Sequence, residues 1–323
     1  MLMKLRYSGL AIFILLGISI CNAGIPPGKS KAKPLTGPTL IILGTIQDGG
    51  SPHIGCNKAC CSDLFLHPDP KRKVVSLGII DPENRQTWLL EATPDMPDQM
   101  KMLKNASGFK TTETPDGIFI THAHIGHYTG LMYLGKEALN SAKVPVYAMP
   151  RMKTYLETNG PWSQLVNLNN ILLNPLADGQ AITLSNNIKI TPFLVPHRDE
   201  YSETVGYLIE GPHKKVLFIP DINKWGVWGK DIIKEIAKVD YAFIDGTFYD
   251  GNELGLRNIA EIPHPFIIES MKLMATMPAS EKSKVHFIHF NHTNPVINLK
   301  SKEALTVLKN GFFISQFGKR FNL

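Results

Sequence analysis

GIFITHAHIGHYTG, residues 117–130, decides the reading of this chain. Gly117–Thr121 is an apolar run of the length of a buried strand. It ends in three histidines, His122, His124 and His127. In extended chain the side chains of residues i and i+2 lie on the same side, so His122 and His124 point together. His127 follows at the start of a helix expected over His127–Leu139. Three neutral imidazoles converging just past a strand end suit a borderline metal such as zinc. The alternative, three unrelated histidines, must account for three of the chain's 11 falling within six residues.

Further ligands have to come from farther along the chain. His197 (in VPHRDE) follows an expected strand Ile188–Val195, Asp221 (in LFIPD) follows Lys215–Ile219, and His289 (in HFIHFNH) lies near the end of Lys284–Phe290. Strand ends are where loops converge on a site. The rest of the pattern repeats the same style in both halves. Strands are expected at Leu40–Ile46, Val74–Asp81, Thr87–Ala92, Val144–Met149, Ala181–Leu184, Thr204–Ile209 and Tyr241–Ile244. Helices are expected at Met96–Asn105, from Met152, at Pro265–Thr276 and at Ser301–Lys309. Hairpins mixed with helical crossovers point to an α/β fold of two helix-covered sheets in one domain, 39–323. No linker divides it.

The first 23 residues differ. Lys4 and Arg6 precede an apolar run, Leu10–Ile20, and Cys21-Asn22-Ala23 follows. A basic start, a short apolar segment and a small residue before the cut make a secretory signal peptide, with cleavage after Ala23. The run is short for a membrane span, which needs about 20 residues. An uncleaved anchor is the alternative, and the mature chain is expected to carry no membrane span. Residues 24–38 read as a flexible tether. The expected location is exported, periplasmic or secreted. The whole chain carries a net charge of +6, and loss of Lys4 and Arg6 leaves about +4. With no basic block longer than Lys71-Arg72-Lys73, a dedicated nucleic-acid binder is disfavoured and a small-molecule substrate preferred. The oligomeric state is left open, a homodimer included. Of four cysteines, Cys21 leaves with the leader, and the odd three that remain, Cys56, Cys60 and Cys61, cannot all pair.

HAHIGH resembles the HxHxDH motif of the metallo-β-lactamase superfamily, and the later order His, Asp, His fits it over roughly Thr39 to the C-terminus. LGTIQDGGSPHIGCNKACC, HFNHTNP, DGTFYD (245–250) and His264 resemble the pyrroloquinoline quinone biosynthesis protein B branch. That branch is similar to phosphodiesterases of phosphonate breakdown and to tRNA 3′-processing ribonucleases. The resemblance implies a four-layer αββα metallo-β-lactamase sandwich with its site at the shared edge of the sheets. It implies one metal on His122, His124 and His197, a second on His127 and His289, and Asp221 bridging them. The implied metal is zinc in one or two active-site positions, with manganese and iron compatible. Asp221 and His264 are the implied catalytic pair, Asp221 orienting metal-activated water and His264 protonating the leaving group. Asp199 and Asp245 are candidates for holding imidazoles from behind.

One departure matters. The family's Asp between the second and third histidines is Gly126 here, which leaves the second metal at most two histidines and the bridge, so that this position is expected to be weak, absent, or completed by water or another carboxylate such as Asp245. Cys56, Cys60 and Cys61 supply three thiolates for a structural zinc, which needs four ligands. His292, three residues past His289, is the expected fourth and His53 its competitor; a Cys₃His knot of this kind sits beside the active site of the phosphodiesterase relatives. A disulfide plus a free thiol is the other reading. The leading functional expectation is an exported metallo-hydrolase of a phosphodiester or ester. The alternatives are iron-dependent oxidative chemistry, as in the cofactor-biosynthesis branch, and non-catalytic metal binding.

Overall fold

Alternate residues of β1 (Thr39–Gly44) enter different cores: Leu40 and Ile42 join one buried cluster, Ile41 and Leu43 another. This two-residue period is the geometry of a strand covered on both faces. A computed structural model describes residues 35–254 and 262–323 of the chain. The expected leader, 1–23, and residues 24–34 of the expected tether lie outside the described residues. The described remainder of that tether, 35–38, is docked: Leu35 packs against the core, and Pro38 O accepts from Leu323 N–H at 2.9 Å.

The first sheet also holds β2 (Ser76–Asp81), β3 (Gln86–Leu90), β4 (Gly117–Phe119), β5 (Val144–Ala148) and β6 (Ile171–Pro175). The second holds β7 (Ile182–Thr183), β8 (Lys189–Leu194), β9 (Val205–Glu210), β10 (Lys215–Ile219), β11 (Tyr241–Asp245), β12 (Val285–Ile288) and β13 (Phe313–Ile314). The last strand, β14 (Arg320–Asn322), returns to the first sheet beside β1. Each sheet is antiparallel on one side and parallel on the other. β14, β1, β2 and β3 pair antiparallel before β4–β6 run parallel. In the second sheet β7–β10 are antiparallel and β11–β13 parallel.

Between the sheets lie Leu40, Ile42, Leu77, Ile79 and Phe119 from one side and Val205, Tyr207, Phe218, Phe243 and Ile288 from the other. The outer face of the first sheet is covered by helices 96–107, 150–158 and 162–167, that of the second by 232–237, 267–273 and 302–309. These are the four layers of the αββα sandwich. Each fully buried aliphatic or aromatic side chain contributes ~1.5–3 kcal/mol, and this interior offsets the charges buried at the sheet edge.

Two expectations change. No long helix covers His127–Leu139; a single turn, Ile125–Tyr128, passes into a 3₁₀ segment, Thr129–Leu134. Gly130 is pressed against the Ala92–Thr93 backbone, where a Cβ would fall 2.1 Å from Thr93 O, and Gly135 is extended (φ −72°, ψ 176°). The segment is shaped by contact with the strand end, not by helical propensity. Strands β6, β13 and β14 and helices 162–167 and 232–237 were not expected. β6 ends on Pro175 and exposes Leu172, and the other two strands have only two and three residues, so none carries a two-residue pattern.

The C-terminal ends of β1, β3, β4, β8, β10, β11 and β12 lead into the residues of the site. At the other end, Asp81 ties the sheets together. It is fully buried, accepts from Ser185 Oγ (2.6 Å) and Asn187 Nδ2 (3.3 Å) of the β7–β8 hairpin, and accepts from Asn84 Nδ2 (2.7 Å) of its own turn. These donors outweigh burial and lower its carboxyl pKa. Hydrogen bonds to a charged group are worth ~1.5–3 kcal/mol each, and orphaning buried donors costs more than replacing both partners. Asp81→Ala is therefore expected to lose about 3 kcal/mol in urea denaturation at neutral pH; an unchanged midpoint would show that the tie is dispensable.

Candidate metal centre

Five imidazoles surround one buried carboxylate. Asp221, just past β10 and 3% exposed, has Oδ2 at 3.1 Å from His197 Nε2 and 3.5 Å from His122 Nε2. The same oxygen is 3.9 Å from His127 Nε2 and from His289 Nε2, while Oδ1 lies 3.1 Å from His264 Nδ1. Burial alone would raise the Asp221 carboxyl, but the imidazoles of His197, His264 and His289 hold it well below the usual range.

The residues fit a metal by a test internal to the chain. His122 Nε2 and His197 Nε2 are buried and have no hydrogen-bond partner among the described residues. Unpaired buried nitrogens are costly, and here both face the same anionic oxygen. Their other ring nitrogens are occupied: His122 Nδ1 by Thr121 Oγ1 at 2.9 Å, His197 Nδ1 by Asn223 Oδ1 at 3.3 Å. Burial, then neighbouring imidazoles, drive His122 well below its ordinary pKa and His124 to about 4, so both rings are neutral donors of a lone pair. His122, His124, His197 and Asp221 have ligand atoms all within 4.8 Å of one another.

A second set, equally close, is His127, His289, Asp221 and Asp48. Asp48 Oδ1 stands 3.0 Å from His127 Nε2 and 3.2 Å from His289 Nε2. Burial opposes its charge, but the two imidazoles outweigh burial and hold its pKa well below normal. The rings are fixed from behind. Thr247 Oγ1 donates to Asp245 Oδ1 at 2.7 Å, because a carboxylate only accepts, and so receives the Nδ1–H of His289 at 2.8 Å. His127 Nδ1 faces the fully buried Glu91 at 3.3 Å. Burial lowers His127, but Asp48 and Glu91 outweigh it and raise its pKa well above normal. Both His289 (φ 67°) and Glu91 (φ 76°) stand in the left-handed backbone region.

A third group joins His264 to Asp245 Oδ2 at 2.9 Å and to Asp221. The two carboxylates overcome burial and raise His264 to about 10, so the ring holds its proton at neutral pH.

All six expected active-site ligands are thus brought together, and His264 with them. The expected place of Asp245 beside the second set is corrected: Asp245 serves His264, Thr247 and the Ile222 N–H, and the carboxylate beside His127 and His289 is Asp48. Asp199 does not support an imidazole either; it is solvent-exposed and pairs with Arg151 at 3.6 Å, while Asn223 takes the place behind His197. Glu91 and Asp48 were missed. Glu91 carried a weak signal, an acid ending an apolar strand; Asp48, followed by Gly49-Gly50, reads as ordinary turn chemistry.

Beside this centre, Cys56, Cys60, Cys61 and His292 form a fourth set within 4.8 Å. The thiols are free; Cys56 and Cys60 Sγ lie 3.8 Å apart, Cys60 and Cys61 Sγ 3.9 Å. Tetrahedral thiolates at ~2.3 Å from zinc stand about 3.8 Å from one another. His292 Nδ1 is buried without a partner among the described residues, whereas the competitor His53 stacks on His292 and has Nδ1 at 2.8 Å from Ile54 O. Burial and the neighbouring thiols push Cys60 up to about 12, so metal entry must displace a proton there. No helix among the described residues is long and apolar enough to cross a membrane.

The chain is similar to known proteins over most of its length. Coenzyme PQQ synthesis protein B of Klebsiella pneumoniae is 26% identical over 311 residues, covering 88% of this chain and 98% of that protein. The protein of the same name from Acinetobacter baylyi is 25% identical, covering 83% and 94%. Among solved structures, Zn(2+)-bound PqqB from Methylobacterium extorquens superposes with a TM-score of 0.70 at 22% identity, covering 88% of this chain and 100% of that one. A diphosphatase of the PhnP family gives 0.60 at 22% identity over 88% and 96%, and the short form of human tRNase Z gives 0.55 at 14% over 88% and 98%. These likenesses are to the fold. The beta-lactamase superfamily domain matches residues 86–290, more than half of the chain and including every histidine and aspartate of the first metal set; the protein belongs to the β-lactamase superfamily.

Proposed function

We propose that this protein is a two-metal hydrolase of a phosphodiester or ester. The observation that carries the reading is the pair of ligand sets sharing Asp221, with buried imidazole nitrogens left unpaired around it. Zinc suits the nitrogen-rich donors, with manganese and iron compatible. Metal bound there supplies a nucleophile at neutral pH and polarises the bond attacked.

The chain's own groups do the rest. Asp221 offers one oxygen toward both sets. His264 lines the cavity beside the centre, and Asp245 and Asp221 hold its Nδ1–H and keep the ring protonated, which leaves the Nε2–H as the proton for a leaving oxygen; such acid work contributes ~10²–10⁴-fold. The cavity, about 530 Å³, runs from His264 to the thiol loop and is lined by Gln47, Lys58, Phe248, Glu253 and Asn291 among others. That volume suits a small polar substrate. The thiol knot, as a structural zinc site, holds one wall of the cavity in place.

A second reading, oxidation on iron, is favoured by one observation: the curated relatives are named for coenzyme PQQ synthesis. The basic, apolar start of the chain supports export, with a mature protein beginning at Gly24.

Metal content, turnover and the mature amino terminus test this. Plasma mass spectrometry on protein purified without added metal is expected to find zinc in both active-site positions, with turnover of bis(p-nitrophenyl) phosphate. His124→Ala should lose active-site metal and retain the thiol-bound ion. Tightly held iron with oxygen uptake would favour the oxidative reading, and metal without any turnover would leave a binding protein. Amino-terminal sequencing of the exported protein should read from Gly24; an intact Met1 refutes cleavage.

A separate measurement concerns Glu253, whose burial raises its pKa from 4.5 to about 7. The folded chain then keeps a proton that the unfolded chain has lost, so the group's stabilisation is complete below pH 4.5 and is lost as pH rises through about 7. Glu253→Gln should remove this segment of the melting temperature–pH profile. Parallel profiles for the two proteins would contradict the assignment.

A further inference from the structure

We infer that Asp48, from the loop after β1, is the carboxylate ligand of the second metal position, and that Gly126 is the condition for its delivery. The inference rests on the reading of the cluster as a two-metal centre.

The family pattern places a carboxylate on residue 126. Here a Cβ on Gly126 would fall 2.5 Å from Asp48 Cα and 2.7 Å from both Asp48 Cγ and Oδ1. Asp48 already fills that volume. A side chain at 126 and Asp48 in its observed position therefore exclude each other; one ligand has been exchanged for another across space.

The backbone delivers Asp48 rigidly. Gln47 N–H donates to Phe290 O at 2.8 Å, and Phe290 N–H donates to Thr45 O at 2.8 Å. Ile46 bridges Val74 on one side and Phe290 on the other, so the loop crosses from the first sheet to the second. That pairing sets Asp48 next to His289 by register.

The alternative is an ion pair without metal. It satisfies only part of the geometry. His289 commits its Nδ1–H to Thr247, and His127 Nδ1 faces Glu91, so both Nε2 atoms turn toward the same Asp48 oxygen. A proton on His127 satisfies one of these contacts. A metal ion satisfies both, and adds the Asp221 oxygen 3.9 Å from each ring.

The test is metal content after equilibrium dialysis against zinc, counted by plasma mass spectrometry. The wild-type protein is expected to hold three ions, one of them in the thiol knot. Asp48→Asn keeps the side-chain volume and should hold two, its second active-site ion bound at least ~100-fold more weakly, since even loss of a group behind a ligand costs 10–100-fold. The exchange variant Asp48→Gly with Gly126→Asp should hold three again, which a merely misfolded loop would not do. Three tightly held ions in Asp48→Asn, or two in the exchange variant, overturns the inference and leaves the two-metal reading standing. A wild-type protein holding only the knot ion overturns that reading as well.

Discussion

A carboxylate that is 3% exposed and ringed by imidazoles is the constraint on which the site depends. An isolated anion at the depth of Asp221 is too costly to keep. Five rings surround it, arriving from the ends of β4, β8, β11 and β12 and from the loops beyond them, and the imidazoles of His197, His264 and His289 sustain its charge. Four of the rings are fixed at the far nitrogen by a different partner, Thr121, Asn223, Glu91 or Thr247, while His264 shares its Nδ1 between Asp221 and Asp245. The sandwich makes this affordable by bringing the C-terminal ends of strands from both sheets to one edge, while the opposite edge is held by the Asp81 network.

Much of this was legible in the sequence. HAHIGH after an apolar run located the centre. The placement of His197, Asp221 and His289 just past apolar runs located their neighbours, because a buried strand announces itself and its end is a fixed point of the fold. Asp48 was not legible. It lies 241 residues from His289, and their contact follows from the pairing of the Thr45–Gln47 segment with Phe290, a relation between two sheets that no local pattern encodes. The helix expected after His127 failed for a related reason. Gly130 is there for a close backbone approach to Thr93, and propensity says nothing of such contacts.

The loop from Gln47 to Cys61 and the turn from His289 to His292 each contribute to both the active-site cluster and the thiol set. Asp48 and Cys56, Cys60 and Cys61 belong to the first; His289 and His292 belong to the second. A metal in the thiol set would thus join the same two segments that the Gln47–Phe290 hydrogen bond already joins. With such a metal, the edge that carries the centre would be tied twice, once by backbone and once by coordination, through the same pieces of chain.

His289 and Glu91 also share a backbone conformation that side chains resist. Left-handed φ costs a residue other than glycine about 1 kcal/mol, and both residues accept it, at φ 67° and 76°. Both side chains are buried and held, Glu91 beside the Thr121 N–H and His127 Nδ1, His289 beside Thr247. The folding cost at 91 and 289 is borne where the side chains belong to the centre, so glycine at either position would ease the backbone while emptying a place beside His127 or in the second ligand set.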